Sequence, residues 1–188
     1  MAKIDDFRTN LKGGGARGSQ FEVSLTFPGI VPGATNAANS AKFMCIGTSL
    51  PASTIESIQV PFRGRIIKVA GERSFQNWQV RILNDTDFTL RSALESWSNN
   101  ILKHSETSGI TNPTEYTSTL LVKQLSRSAT IGATEAVIRS YSFYNCYPIT
   151  ISDIQLDFGD TTRIEEFTVE FSVDYWLATG DAVDPNFI

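Results

Sequence analysis

Two long β-type runs separated by a short turn constrain the fold of this chain more than any other feature. The runs occupy residues 55–69 and 74–83, and they flank a turn at residues 70–73. Gly71 within that turn can adopt a positive φ at little steric cost. The sequence therefore predicts a long β-hairpin that closes at residues 70–73.

The second run alternates between apolar and polar side chains. A period of two predicts a strand with one buried face and one solvated face. The apolar set is Trp78, Val80 and Ile82. The polar set is Asn77, Gln79 and Arg81.

The remaining patterns predict a mainly β domain with a single helix. Four apolar residues recur at helical spacing within 84–103, which predicts one amphipathic helix there. Residues 28–40 are rich in Gly, Pro, Ala and Asn and predict a loop. Further strands are predicted at residues 21–27, 41–48, 119–126, 135–146, 149–158 and 165–176. The expected fold is an antiparallel β-sandwich or barrel with one packed α-helix.

Length and composition favour one domain at residues 21–188, preceded by a flexible N-terminal arm at residues 1–20. A glycine-rich stretch lies in the arm, but a strand follows it, whereas a phosphate-binding loop leads into a helix. No apolar run reaches the roughly 18 residues of a membrane span. The start lacks the apolar region of a signal peptide, so we expect a soluble chain that is not exported by that route.

Few residues in the chain suit catalysis or metal binding. His104 is the only histidine, which leaves little from which to build a histidine metal site or a Ser-His triad. Cys45 and Cys146 are the only cysteines, and two cysteines in an unsecreted chain favour buried free thiols over a disulfide. Sequence alone leaves the disulfide possible.

Two sets of acidic residues lack the spacing or the partners of a functional site. Asp153, Asp157 and Asp160 lack the glycine-punctuated spacing of a calcium loop. The glutamates at residues 165–170 resemble a solvated strand face and lack a converging nucleophile. We therefore predict no enzymatic activity, no metal and no cofactor.

Basic residues cluster in the predicted hairpin even though the chain carries a net charge of −4. The cluster has a local charge of +3 and comprises Arg63, Arg65, Lys68, Glu72 and Arg73. One interpretation is contact with DNA phosphates. The other, which we favour, is contact with an acidic surface on a neighbouring copy of the chain.

A spaced motif runs through the hairpin and into the segment after it. Its residues are Val69, Ala70, Gly71, Glu72, Arg73, Phe75, Trp78, Val80, Asn84 and Asp85. With Lys68 in place of an asparagine, the motif resembles the tail tube proteins of contractile-tailed bacteriophages. The resemblance covers about Phe21 to Trp176, and its departures are an insertion at residues 28–39 and the tail after Trp176.

The resemblance implies rings of six subunits stacked into a tube, with four strands of each subunit lining a shared lumen. It also implies a contractile sheath outside, baseplate and tail terminator proteins as partners, and a tape measure protein and DNA inside. The implied location is the virion, assembled in the host cytoplasm. A closed ring would also pair the exposed edge strands of the hairpins, which otherwise promote aggregation.

Alternation and this resemblance together give two sets of expected contacts. We expect the lumen wall to carry Ser57, Gln59, Asn77, Gln79, Arg81, Asp153, Gln155 and Asp157. This weakly acidic wall would let DNA slide. We expect the opposite, buried face to include Ile154 and Leu156, and the arm and the basic cluster to contact adjacent rings.

Three alternative functions remain open from the sequence. The first is a baseplate tube initiator, or the tube protein of a contractile injection or secretion machine. The second is a β-sandwich module that binds carbohydrate or a host surface, which would need an exposed aromatic platform. An enzyme is the third and has the least support.

Overall fold

The computed structural model describes residues 4–11, 15–50, 52–126, 137–159 and 163–179. In chain order the elements are α1 (Ile4–Asn10), β1 (Phe21–Ser24), α2 (Ala34–Met44), β2 (Cys45–Thr48), β3 (Ser53–Phe62), β4 (Arg65–Phe75), β5 (Trp78–Leu83), α3 (Thr89–Ile101), α4 (Pro113–Tyr116), β6 (Ser118–Leu125), β7 (Val137–Ile151), β8 (Glu166–Ser172) and β9 (Tyr175–Thr179).

Seven strands form one antiparallel sheet in which β7 belongs to two layers. Their order is β1-β6-β7-β8-β5-β2, and β9 also pairs with β7. The first half of β7 pairs with β6 and β9, and its second half pairs with β8. Strands β3 and β4 form a separate two-stranded sheet. The prediction of a mainly β, antiparallel fold is confirmed.

A cluster of stacked aromatic rings occupies the core between the two layers. The ring of Trp78 stacks on Phe143 with centroids 4.7 Å apart and on Phe171 at 5.6 Å. Trp97 of α3 packs edge-on against Phe27 at 5.6 Å, and its indole N–H donates to the carbonyl of Tyr116 at 2.7 Å. Alternation in β5 accounts for this arrangement, because every second side chain of the strand is buried.

The helix α3 is the one that the sequence predicts, although it starts later than expected. Its first turn is stabilised by Asp85, whose carboxylate accepts a hydrogen bond from the backbone N–H of Thr89 at 3.1 Å. The buried stripe of α3 consists of Leu90, Ala93, Leu94 and Trp97.

A second packed helix, α2, replaces part of the predicted loop at residues 28–40 and part of the predicted strand at 41–48. Only Ala37 and Ala41 of α2 are fully buried, and the helix packs on α3 and β1. Alanine has a high helix propensity, but alanines are too small to give a recognisable apolar period in the sequence. The sequence pattern therefore does not predict this helix. The strand prediction is right only for residues 45–48, which form β2.

The hairpin exists, but its turn is not at residues 70–73. The chain reverses at Arg63 and Gly64, which have φ values of 46° and 81°. Two successive positive φ values are typical of the type I′ turn that joins twisted strands. Gly71 instead lies within β4 where the register shifts, and a Cβ there would sit 3.0 Å from the carbonyl of Glu56.

The two strands predicted at residues 135–146 and 149–158 are one strand, β7, which ends at Ile151. Pro148 lies inside it, paired with Phe171 next to a register shift. Proline is tolerated at such irregularities because no ladder hydrogen bond needs its missing N–H. Pro148 therefore does not break the strand.

The single strand predicted at residues 165–176 is divided into β8 and β9. At the division the backbone N–H of Asp174 donates to the carbonyl of Tyr144 at 3.3 Å. The Asp174 carboxylate also accepts from the side-chain amide of Asn145, a residue with φ of 54°. Strand β9 therefore crosses to the other layer, beside the first half of β7.

Both cysteines are free and buried, as the sequence predicts. Burial raises the pKa of Cys45 and of Cys146 to about 12, so both remain protonated and weakly reactive near neutral pH.

We expect Trp78→Ala to lower the free energy of unfolding by roughly 3–5 kcal/mol, because it removes a fully buried ring from the stack. Gln79→Ala is the matched control: Gln79 is exposed on the same strand, and its loss should change stability by less than about 0.5 kcal/mol. Chemical denaturation measures both values. Similar losses in the two variants would contradict the assignment of the buried face.

Candidate interaction surfaces

The β3–β4 hairpin projects from the body of the protein. Every residue from 54 to 70 is exposed, so both faces of this two-stranded sheet meet solvent. The base of the hairpin is held where Phe75 packs edge-on against Trp176, with ring centroids 6.2 Å apart. An isolated two-stranded hairpin is only marginally stable in water. A surface of this kind is therefore expected to need a partner.

One face of the hairpin is apolar. Cross-strand pairs place Ile58 opposite Val69 and Val60 opposite Ile67. We define the apolar face of the hairpin as Ile58, Val60, Phe62, Ile67 and Val69. These side chains are 44–57% exposed in the subunit. Contiguous exposed apolar surface marks an interaction site more often than a free surface.

The other face of the hairpin is more polar. Gln59 pairs with Lys68, and Ser57 pairs with Ala70. Two of the predicted lumen residues, Ser57 and Gln59, therefore lie together on this face. They lie on a separate sheet from Gln79 and Arg81, which belong to β5.

The basic cluster is spread along the hairpin. Arg63 is at the tip, with its guanidinium 5.4 Å from the centroid of the Phe62 ring. Arg65 pairs with Phe62 and shares its face, whereas Lys68 lies on the polar face. Arg73, near the base, donates to the hydroxyl of Ser53 at 3.1 Å. The cluster therefore does not form one compact patch.

A second surface lies on the outward face of β5 and β8. Gln79 pairs with Glu170, whose carboxylate accepts a hydrogen bond from the amide of Asn77 at 2.8 Å. Arg81 on the same face lies 3.6 Å from the carboxylate of Glu166. Three predicted lumen residues are thus adjacent on a polar face whose opposite side is the aromatic core.

An open cleft of about 520 Å³ adjoins this face and collects the other predicted residues. Arg81 lines it together with Asp153, Gln155 and Asp157. Among the described residues, the charged lining residues are two arginines and four carboxylates: Arg81, Arg163, Asp153, Asp157, Glu165 and Glu166. The cleft therefore has an excess of negative charge.

The cleft loop does not have the predicted strand conformation. Residues 152–157 are irregular, since β7 ends at Ile151. Ile154 is half-buried against the core, but Leu156 is 80% exposed. The prediction that Leu156 is buried is wrong, because strict alternation applies only where the backbone is extended.

Side chains from α3 and its preceding loop hold the cleft in place. Arg91 donates to the carbonyl of Ser152 at 2.9 Å, and its guanidinium lies 5.0 Å from the centroid of the Phe167 ring. On the opposite wall, the amide of Asn84 donates to the carboxylate of Glu165 at 3.0 Å. The cleft walls are therefore fixed to the core by hydrogen bonds.

Sequence reasoning did not identify two parts of these surfaces. It treated Glu166 and Glu170 as an ordinary solvated strand face, although their alternation with buried residues of β8 could have placed them beside β5. It also missed the apolar face of the hairpin because it set the turn too late in the chain. The signal for the correct turn was Gly64.

Within the part of the chain that the structure describes, no three His, Cys, Asp or Glu residues converge to hold a metal ion. No helix in the described ranges is both long enough and apolar enough to cross a membrane.

Known protein families provide an independent comparison. The family model described as phage tail tube protein matches residues 16–179. Tail tube protein gp19 of Enterobacteria phage T4 is 29% identical over 176 residues, which cover 92% of this chain and 98% of that protein. The tail tube protein of Serratia phage KSP90 is 22% identical over 183 residues, covering 96% and 98%.

Solved structures share the fold. A chain of the PVC sheath–tube complex, from an extracellular contractile injection system in the extended state, superposes with a TM-score of 0.63 at 12% identity. It covers 96% of this chain and 99% of its own. A chain of the anti-feeding prophage baseplate gives a TM-score of 0.59 at 14% identity, covering 90% and 98%.

We expect the apolar face of the hairpin to drive self-association. Val60→Asp should raise the dissociation constant for self-association by roughly tenfold or more, because an apolar contact is lost and a charge must be desolvated. Gln59→Asp adds the same charge to the polar face and is the matched control. Analytical ultracentrifugation measures both variants. Equal association of Val60→Asp and the unmodified chain would show that this face stays in solvent.

Proposed function

Because this chain belongs to the family of phage tail tube proteins, we propose that it polymerises as stacked hexameric rings into a tail tube that conducts the genome. The chain is homologous to the tail tube proteins of contractile phage tails, which are structural components of the virion. The observation that carries the proposal is the projecting hairpin with its exposed apolar face.

Ring formation would remove two unfavourable features of the isolated subunit, the exposed apolar side chains of the hairpin and its unpaired strand edges. Burying five apolar side chains of the hairpin is favourable by roughly 25 cal/mol per Å² of apolar surface. In the part of the subunit that the structure describes, β3 and β4 pair only with each other, and their outer edges would gain backbone partners from a neighbouring copy. Closure by rotation symmetry would leave no subunit with an unmatched interface.

The proposed lumen wall is the outward face of β5 and β8, continued by the polar face of the hairpin. It would carry Ser57, Gln59, Asn77, Gln79, Arg81, Asp153, Gln155 and Asp157. Support comes from their exposure and from the excess of carboxylates around Arg81. A wall of uncharged polar and acidic groups would repel DNA phosphates weakly and permit sliding.

The proposed contacts between rings use the hairpin tip and the N-terminal arm at residues 1–20. The basic residues Arg63, Arg65, Lys68 and Arg73, with Glu72 beside them, would meet acidic groups of the next ring.

Further partners follow from a tail tube role. We propose a sheath protein around the tube, baseplate and terminator proteins at its ends, and a tape measure protein and then DNA within the lumen. Catalysis has no part in this function.

Two alternatives differ in their support. The tube or tube initiator of a contractile injection machine shares the fold and would use the same surfaces. An initiator would stop at one ring, whereas a tube protein would keep adding rings. A carbohydrate-binding module would need an aromatic platform, but Trp78 and Trp97 are buried and Trp176 is packed between Phe75 and Tyr141.

Electron microscopy of the purified chain tests the proposal directly. At high protein concentration, or with a baseplate seed, we expect hollow tubes built of sixfold rings. The Val60→Asp variant should remain dispersed under the same conditions. Monomers at every concentration, even with the seed, would refute the proposed function.

We expect Gln79→Lys combined with Gln155→Lys to leave tube assembly intact and to slow DNA ejection. The new charges would line the proposed lumen and bind phosphates through counterion release, so the delay should shrink steeply as salt rises. Thr107→Lys with Thr111→Lys adds the same charge to the loop after α3 and is the control. Equal ejection rates for both double variants at low salt would show that β5 does not face the lumen.

A further inference from the structure

The loop that follows β7 holds a phenylalanine side chain entirely in solvent. Phe158 is 108% exposed, and the neighbouring apolar side chains of Leu156 and Ile164 are 80% and 67% exposed. The carboxylate of Asp157 accepts a hydrogen bond from the backbone N–H of Gly159 at 2.8 Å, which closes a turn at Phe158. We define the Phe158 loop as residues 153–159. It presents an aromatic ring on a hydrogen-bonded turn.

A small apolar pocket elsewhere on the subunit has the size of one aromatic side chain. Its volume is about 140 Å³, and its apolar lining residues are Phe21, Leu50, Val122 and Tyr141. We call it the Tyr141 pocket. A cavity of about 150 Å³ holds one benzene ring. The Tyr141 pocket can therefore accept the ring of a phenylalanine.

The Phe158 loop and the Tyr141 pocket lie at opposite ends of the subunit. Tyr141 is near the start of β7, and the strand ends at Ile151, just before the loop. Ten residues of extended strand span at most about 33 Å. Strand β5 gives the same direction, because its first half pairs with Thr48 of the pocket wall and its last residue pairs with Glu166 of the cleft wall. The ring of Phe158 is therefore remote from the pocket of its own subunit.

The charges around the two features are complementary. Arg17 lies in the turn that leads into the pocket, where its carbonyl accepts a hydrogen bond from a backbone N–H of the pocket wall. The guanidinium of Arg139 is 5.4 Å from the centroid of the Tyr141 ring. The Phe158 loop carries the carboxylates of Asp153 and Asp157 and no basic residue. Opposite charges of this kind attract and fix the relative position of two surfaces.

We propose that Phe158 of one copy inserts into the Tyr141 pocket of a second copy, with the loop carboxylates beside Arg17 and Arg139. Because the loop and the pocket lie at opposite ends, the contact is head-to-tail and repeats along a line. This contact rests on the proposed function, since stacked rings would supply copies in that arrangement. Six such contacts in each ring would act together, so a single side chain per subunit is enough to affect stacking.

Replacing the ring tests the contact through assembly. Phe158→Asp should raise the critical concentration for tube formation at least tenfold, because full burial of one phenylalanine side chain favours association by roughly that factor or more. Leu156→Asp adds the same charge on the side of the loop that lines the cleft, and it should stay within about twofold of the unmodified chain. Equal critical concentrations for the two variants would overturn the contact.

Obstructing the pocket tests the same contact from its other side. Gly18 lines the pocket, and a Cβ added there meets no atom within 4 Å, so Gly18→Phe should fold normally. Gly29→Phe is the matched control, because Gly29 has the same open space and does not line the pocket. We expect Gly18→Phe to raise the critical concentration at least tenfold and Gly29→Phe to leave it within about twofold. Unimpaired tubes from Gly18→Phe would contradict insertion of a side chain into this pocket.

Photochemical cross-linking identifies the occupant of the pocket directly. The analogue 4-azidophenylalanine at position 158 keeps the ring and bonds to adjacent atoms on irradiation. In assembled tubes we expect cross-linked dimers that mass spectrometry maps to peptides containing Phe21, Val122 or Tyr141. Their yield should exceed that from the analogue at position 156 at least fivefold. Cross-links that map to any other surface would show that another segment fills the pocket, and would overturn the proposal.

The outcomes separate this contact from the proposed function. Normal tubes from Phe158→Asp would refute the insertion of Phe158 and leave the proposed function intact. Failure of the unmodified chain to form tubes, even with a baseplate seed, would refute the proposed function and this contact with it.

Discussion

The stacking of Trp78 on Phe143 and Phe171 connects the two β-layers, and the polar face of β5 depends on it. Phe143 belongs to the layer of β6 and β9, whereas Trp78 and Phe171 belong to the layer of β5 and β8. Because alternate residues point to opposite sides of a strand, burying Trp78 directs Gln79 and Arg81 outward. The polar face of β5 is thus a consequence of the aromatic core behind it.

The hairpin differs from the rest of the protein in where its apolar side chains lie. The large sheet and its helices bury their apolar side chains in the core, but the hairpin leaves a row of large aliphatic side chains in water on a sheet of only two strands. Such a sheet gains most of its stability from whatever covers it. The hairpin therefore depends on a covering surface more than the rest of the protein does.

Charge distribution complements this division between body and hairpin. The hairpin is basic, whereas the cleft beside β5 has more carboxylates than arginines. In a homopolymer, two surfaces of opposite charge on one subunit favour head-to-tail contacts, because each copy presents both halves of the interface. Electrostatic attraction of this kind determines the relative position of two copies more than it increases their affinity for each other.

The sequence by itself determined the mainly β class, the helix α3 and the two faces of β5, because each depends on a regular period of large apolar residues. It also carried the motif from Val69 to Asp85 that resembles phage tail tube proteins. Only the tertiary structure decided the position of the hairpin turn, the existence of α2 and the end of β7 at Ile151. The turn depends on the φ angles of Arg63 and Gly64, and α2 depends on two alanines that fit closely against α3 and β1. Leu156 is exposed because the chain leaves the extended conformation after Ile151, where Ser152 accepts hydrogen bonds from Arg91 and from the backbone N–H of Thr168. Local sequence patterns predict which side chains are buried. Turns, close helix contacts and strand ends depend on contacts between residues that are far apart in the sequence.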